Sequence, residues 1–228
     1  MKTLVSWSSG KDSAWMVHVL RQRGDVEIGG LLTTINEPAQ RVAMHAVRVE
    51  LLQAQADALG LPLWMVPIPS PCSNEAYEHA MRIAVGRAVA VGFTHIAFAD
   101  LFLEDIREYR VKKLAGTGLT PMFPLFGDAS ATPALARAMI DAGLRARLTC
   151  VDPRQLDRRF AGREFDGALL SELPPTVDPC GERGEFHTFA YDGPMFSRPI
   201  DVETGVTVER DRFVFTDLCH GIQNASSV

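Results

Sequence analysis

Apolar positions along this chain fall in blocks of changing period, and each change marks an element. Residues 3–7, "TLVSW", form a short unbroken apolar run that reads as a buried strand. From about Asp12 to Arg23 the apolar residues Trp15, Met16, Val19 and Leu20 share one face and Gly24 stops the pattern, which predicts a helix. "IGGLLTTI" (28–35) is a second strand. Residues 42–59 predict a long amphipathic helix closed by Gly60 and Pro62. "LWMVPI" (63–68) is a third strand, and its Pro67 favours an edge position. A helix follows from a Ser73 or Asn74 cap to about Val91. "HIAFAD" (95–100), a helix over 103–116 and "PMFPLF" (121–126) complete the alternation.

Strands alternating with helices predict an α/β chain with a parallel, doubly wound, Rossmann-like sheet of five strands, in the expected order 3-2-1-4-5. From about Gly127 the pattern changes. A helix at 133–143 and a strand at 146–151 lead into loops and the β-like stretches "GEFHTFAYDG", "RPIDVETG" and "DRFVFTDL". The expected division is a larger α/β part over residues 1–127 and a smaller α+β part over 128–228.

Composition narrows the function classes. The chain has 228 residues, 46% of them hydrophobic, and a net charge of −5. The acidic balance argues against a broad nucleic-acid footprint. No apolar run approaches the roughly 18–20 residues that span a bilayer, and the N-terminus lacks the features of a secretory leader. Cys72, Cys150, Cys180 and Cys219 are scattered without a C-x-x-C pair, which suits reduced thiols in a cytoplasm.

The first strand runs straight into Ser8-Ser9-Gly10-Lys11-Asp12-Ser13. Small residues between a strand and a helix let backbone N–H groups converge on an anion at the helix N-terminus. Lys11 strengthens the case for a polyphosphate, and Asp12 fits beside phosphates if it holds Mg²⁺. Helix capping by Ser8 or Asp12 is the plain alternative. The string is neither a Walker A loop nor a G-x-G-x-x-G fingerprint.

"SSGKDS" resembles the PP-loop, S-G-G-x-D-S, of enzymes that cleave ATP between its α and β phosphates. Ser9 stands where that motif has its first glycine, a tolerable change if the residue does not need positive φ. "ADLFLEDIREYR" (99–110), "LTPMFPLFG" (119–127) and "DPCGERGEFHTFAYDGPMF" (178–196) resemble the diphthine–ammonia ligase family, its bacterial branch in particular. The resemblance spans essentially the whole chain. It implies ATP and Mg²⁺ as cofactors, adenylation of a substrate carboxylate with loss of pyrophosphate, and transfer of ammonia or an amine. It also implies cofactor contacts at Ser6, Ser8, Ser9, Gly10, Lys11, Asp12 and Ser13, and allows a homodimer.

Other residues complete the candidate site. Glu182, Glu185 and His187 put two carboxylates and an imidazole on a glycine-rich turn, and extended-chain alternation sends Glu185 and His187 to one face. Their expected role is to orient ammonia or assist Mg²⁺, against the alternative of a solvated acidic hairpin. Asp100 ends the fourth strand beside the cleft, whereas Glu104 and Asp105 equally suit a helix first turn. Thr33, Thr34 and Asn36 end the second strand, where they meet adenine or ribose or serve as ordinary strand-end groups. His45 on the second helix and Cys180 as a nucleophile are weaker candidates. "REYRVKK" (107–113) reads as a solvated basic face. A tRNA-modifying PP-loop enzyme and a non-catalytic ATP sensor are the competing function classes.

Overall fold

A computed structural model describes residues 1–42 and 46–221. Strand β1 (Lys2–Ser6) lies in the middle of a sheet, paired in parallel with β2 (Glu27–Asn36) on one side and β5 (His95–Ala97) on the other. Strand β4 (Leu63–Ile68) extends the sheet beyond β2, and β6 (Thr120–Met122) extends it beyond β5. Counting only the parallel strands in chain order, the arrangement is 3-2-1-4-5, as expected. Strand β4 pairs with β2 alone, so Pro67, which has no N–H to give a second partner, sits on an edge.

Neighbouring residues of each central strand point to opposite faces. Val5, Leu31 and Ala97 face a core built with α1 (Lys11–Arg21) and α2 (Val49–Leu59). Leu4, Leu32 and Ile96 face a smaller cluster closed by Val85 and Ala88 of α3 (Asn74–Ala90) and Leu114 of α4 (Glu104–Leu114). Ser73 caps α3 by accepting a hydrogen bond from the Ala76 N–H at 3.2 Å.

The expected helix over 42–59 starts later. Residues 41–42 form a short strand, β3 (Arg41–Val42), antiparallel to the end of β2, and α2 begins at Val49. The reversal at Glu37–Gln40, with Gln40 at φ 49°, returns the chain to β2 before any helix forms. His45 lies outside the described residues.

After a short turn of 3-10 helix (Ala129–Ala131), α5 (Thr132–Asp141) leads into a second, antiparallel sheet. Its strands β7 (Arg145–Val151), β8 (Phe186–Asp192), β9 (Val202–Arg210) and β10 (Phe213–His220) run in the order β8-β7-β10-β9. A six-residue helix, α6 (Gly167–Glu172), connects β7 to β8. Strand β8 lies against the start of α1, where the Ala190 N–H donates to the Ser9 carbonyl at 2.9 Å. The main core is continuous from Val5 to Leu218, so both sheets are sealed by one body of apolar side chains.

Candidate active site

The residues from Ser6 to Ser13 turn sharply between β1 and α1. Ser9 takes φ +67°, the left-handed region, so the position held by a serine here does require the conformation that suits glycine. The surroundings hold it there. Gln55, fully buried on α2, donates to the carbonyls of Ser9 (2.9 Å) and Ala190 (2.6 Å) and accepts from the Trp7 indole at 3.1 Å. Helix α1 begins after Gly10, whose own side of the cap supplies no side-chain hydrogen bond. The Lys11 N–H instead donates to Thr188 Oγ1 of β8 at 3.1 Å, and the Ser8 and Ser13 hydroxyls lie 3.0 Å apart beneath the loop. Neither Ser8 nor Asp12 acts as a plain helix cap.

Lys11 is 1% exposed, with its ammonium 2.8 Å from both oxygens of Asp12 and bonded to the Cys180 carbonyl. Burial works against its charge, but Asp12, Cys180 and Asp178 outweigh that and raise its proton affinity. Asp12, 26% exposed, is pushed up by burial, with Lys11 opposing. Lys11 is thus a fixed cation at the base of the cleft, and Asp12 is the more exposed member of the pair.

The glycine-rich turn faces this pair from the second half of the chain. Asp178 accepts from Thr132 Oγ1 (2.5 Å) and from the Glu182 N–H (2.9 Å). Gly181 sits at φ +72°, where an added Cβ would come within 2.8 Å of the Phe186 carbonyl. Glu182 accepts from the Leu101 N–H at 2.8 Å, tying the turn to the loop between β5 and α4. Its pKa is pushed up to about 7, first by burial and further by Asp12 and Asp100. His187 is pushed the other way, to about 4, by burial and the charge of Lys11.

The structure separates two residues expected on one face. Glu185, 1% exposed, spends its two oxygens on the Asp178 and Arg183 N–H groups (2.8 and 2.9 Å), so it holds the turn together. Extended alternation begins only at Phe186, one residue too late to align Glu185 with His187. Cys180 is 2% exposed with its thiol directed at the Thr132 carbonyl (3.6 Å), and burial pushes it up to about 12, which removes it as a nucleophile.

Two clefts meet at the loop. One, of about 270 Å³, is lined by Ser6, Ser8, Lys11, Asp12 and Asp100 from the first half and by Glu182, His187 and Thr188 from the second. The other, of about 410 Å³, is lined by Ser6, Ser8, Thr33, Thr34 and the start of α3. Ser9 and Ser13 are buried and shape the loop without lining either cleft. Thr33 spends its hydroxyl on the Trp7 carbonyl at 2.8 Å. Asn36 accepts from the Ala39 N–H at 3.2 Å and lies in neither cleft. Glu104 is exposed and pairs with Arg107, in keeping with the first-turn reading.

Three residues were hidden from sequence reasoning. Gln55 and Thr188 are ordinary polar residues in regular elements, although a glutamine among Leu51, Leu52 and Ala56 was a visible irregularity. Arg110 belongs to the stretch read as solvated, yet it turns inward. It grips Asp100 through Nε (2.6 Å) and Nη2 (2.9 Å) and stacks 4.3 Å above the Phe98 ring.

Residues 1–114 match the diphthamide synthase N-terminal domain, and residues 131–228 match the diphthamide synthase C-terminal domain. The chain belongs to the diphthamide synthase family. No curated protein matches it. In this diphthamide synthase family member the cleft draws Asp12 and Asp100 from one matched part and Glu182 and His187 from the other. The family fits an ATP-dependent ligase. Among the described residues no helix is long and apolar enough to cross a membrane.

Proposed function

We propose that this chain is a cytoplasmic, AMP-forming C–N ligase that adenylates a carboxylate and transfers ammonia or an amine to it. The observation that carries the reading is the Lys11–Asp12 pair at the strand-to-helix turn, facing Glu182 across one cleft. Residues 1–127 supply the ATP-binding part in this reading and residues 128–228 close its substrate side.

The adenosine occupies the cleft beside Thr33 and Thr34, and the β and γ phosphates rest on the backbone of residues 8–13. Ser9, Gly10 and Ser13 shape that cradle, with Ser6 and Ser8 at its edge. The donor set suits Mg²⁺ arriving with the phosphates. Asp12 offers a partly exposed carboxylate, and Glu182, raised first by burial and further by Asp12 and Asp100, adds a carboxyl group whose ionised form a cation would favour. Among the described residues no three His, Cys, Asp or Glu side chains form a metal site of their own, so Asp12 would hold Mg²⁺ only together with phosphate and water ligands. Bound Mg²⁺ would neutralise phosphate charge.

A carboxylate oxygen attacks the α-phosphorus, the bond to the bridging α–β oxygen breaks, and pyrophosphate leaves. The buried charge of Lys11 favours the negative charge that develops on that leaving group. Ammonia then attacks the acyl carbon, the carbon–oxygen bond to AMP breaks, and the proton lost by nitrogen passes to Glu182. Glu185 and the backbone of the turn hold Glu182 in place, and His187, neutral at physiological pH, orients the amine. Holding the reactants together contributes up to about 7–11 kcal/mol.

Product analysis tests the reading. With ATP, ammonium and a panel of carboxylic acids, AMP and pyrophosphate should appear in equal amounts. Formation of ADP and phosphate overturns it, and ATP binding with no turnover points to a sensor.

A further inference from the structure

Between α3 and α4 lies a cavity of about 440 Å³ that the reaction described above does not use. Its floor is apolar: Val85, Ile96, Phe98 and Leu114 are all at most 8% exposed. Such a volume falls within the roughly 300–1,000 Å³ of small-molecule sites, and water finds few polar partners on such a floor. The cavity borders the active site. It shares Tyr77 and Met81 with the nucleotide-side cleft, Phe98 with the Glu182 cleft, and Arg110 with both.

Arg110 therefore stands where three spaces meet. Asp100 takes its Nε and Nη2, and on this side chain, 28% exposed, Nη1 is left to face the solvent side of the junction. Stacking on Phe98 fixes the plane of the guanidinium. Around the apolar floor the rim carries Arg82, Arg110 and a Lys113–Glu78 ion pair, a net positive mouth that is complementary to an anionic head on a hydrocarbon body.

We propose that the acid activated by this protein is a hydrophobic monocarboxylate, with its apolar tail in the α3–α4 cavity and its carboxylate at Arg110 Nη1. This inference rests on the adenylating reading above and names its substrate class. The carboxylate is then delivered to the side of the cleft that holds Ser8 and Asp12, where the α-phosphorus of ATP is expected.

Methyl NMR on the full chain tests the site without ATP, using hexanoate, phenylacetate and acetate as probes. Hexanoate and phenylacetate should shift the Val85, Ile96 and Leu114 methyls and bind at least about tenfold more tightly than acetate, since each buried methylene strengthens binding several-fold. Gly86 lines the cavity on α3 with nothing within 4 Å of an added Cβ, so Gly86→Leu puts apolar bulk at the cavity from a position with room for its first carbon. That variant should lose the preference for the longer acids and keep its ATP affinity. Arg110→Met should weaken the longer acids as well, by removing the head-group contact. Absence of methyl shifts, equal affinity for acetate and hexanoate, or the same shifts produced by ATP alone would each overturn the proposal. Retained shifts with no AMP formed from any acid would support the cavity and sink the ligase reading instead.

Discussion

The ammonium of Lys11 lies 2.8 Å from both carboxylate oxygens of Asp12, the next residue along the chain. Adjacent residues at a helix start ordinarily diverge. Here the sharp turn at Ser9 and Gly10 folds the Lys11 side chain under the loop, where the Phe165 and Phe186 rings (5.3 and 5.6 Å) and the Cys180 carbonyl enclose it. The pair therefore couples two roles, filling the base of the cleft and carrying its charge.

Removing either partner should cost both activity and stability. Lys11→Ala leaves a cavity and an uncompensated carboxylate, and breaking a buried pair in this way costs on the order of 3 kcal/mol. Asp12→Asn keeps the shape, and Asp12 is partly exposed, so its cost should be smaller while turnover of ATP is lost. Urea unfolding read beside AMP formation separates the two effects. An Asp12→Asn variant with normal turnover would remove Asp12 from the phosphate site.

Ser9 carries a backbone penalty that glycine would not. An L-residue at φ +67° pays about 1–2 kcal/mol, partly offset because glycine loses more backbone freedom on folding. Ser9→Gly should therefore raise stability by about 0.5–1 kcal/mol, and Ser9→Val should lower it by more. The shift of the urea midpoint at constant slope measures both.

Glu182 and His187 titrate in opposite senses, and the signs can be followed. Glu182 has a folded pKa near 7 against an ordinary 4.5, so the folded state holds its proton more tightly and stability falls as pH rises across 4.5–7. His187 has a folded pKa near 4 against 6.5, so its contribution is present above 6.5 and is lost as pH falls towards 4. The two slopes nearly cancel in the intact protein. Glu182→Gln should expose a clear acid destabilisation between pH 6.5 and 4, and His187→Gln should show stability declining from pH 4.5 to 7. A flat profile in both variants would contradict these environments. In catalysis the same proton on Glu182 should give a rate that climbs through about pH 7, with the climb abolished in Glu182→Gln.

How much of this could be read from the sequence follows from the reach of the interactions. The parallel sheet announced itself because its strands are short apolar runs, and the phosphate loop because small residues, a lysine and a carboxylate crowd one turn. Both signals are local. The strand at residues 41–42 was missed because its apolar partner, Ile35, lies across a turn, and the same residues continue plausibly into a helical pattern. Glu185 was misplaced because strand periodicity starts only at Phe186. Arg110 looked solvated because nothing in "REYRVKK" reveals Asp100 ten residues earlier in the loop after β5. In each case a contact made across a turn or loop, outside the periodicity of any one element, decided the placement.

Asp217 offers a last test of how the halves are joined. On β10 it accepts from Arg41 Nη1 at 2.8 Å and from Arg48 Nη2 at 2.6 Å, both outside the second sheet. Burial would raise its pKa, but the hydrogen bonds from Arg48 and Arg41 prevail and hold it at about 2. A depressed carboxylate contributes stability that is complete above its unfolded value, near 3.8, and is lost as pH falls towards 2. The clamp anchors the two residues that bracket the approach to α2, from which Gln55 supports the phosphate loop. Asp217→Asn should therefore lower stability at neutral pH by about 1–2 kcal/mol, an intermediate value for a partly buried pair. It should also weaken ATP binding without touching the cleft. Arg41→Gln combined with Arg48→Gln should give the same loss, and adding Asp217→Asn to that pair should cost little more. Additive losses would mean that the three side chains act separately, and hydrogen exchange at the Gln55 backbone would then be unchanged in Asp217→Asn.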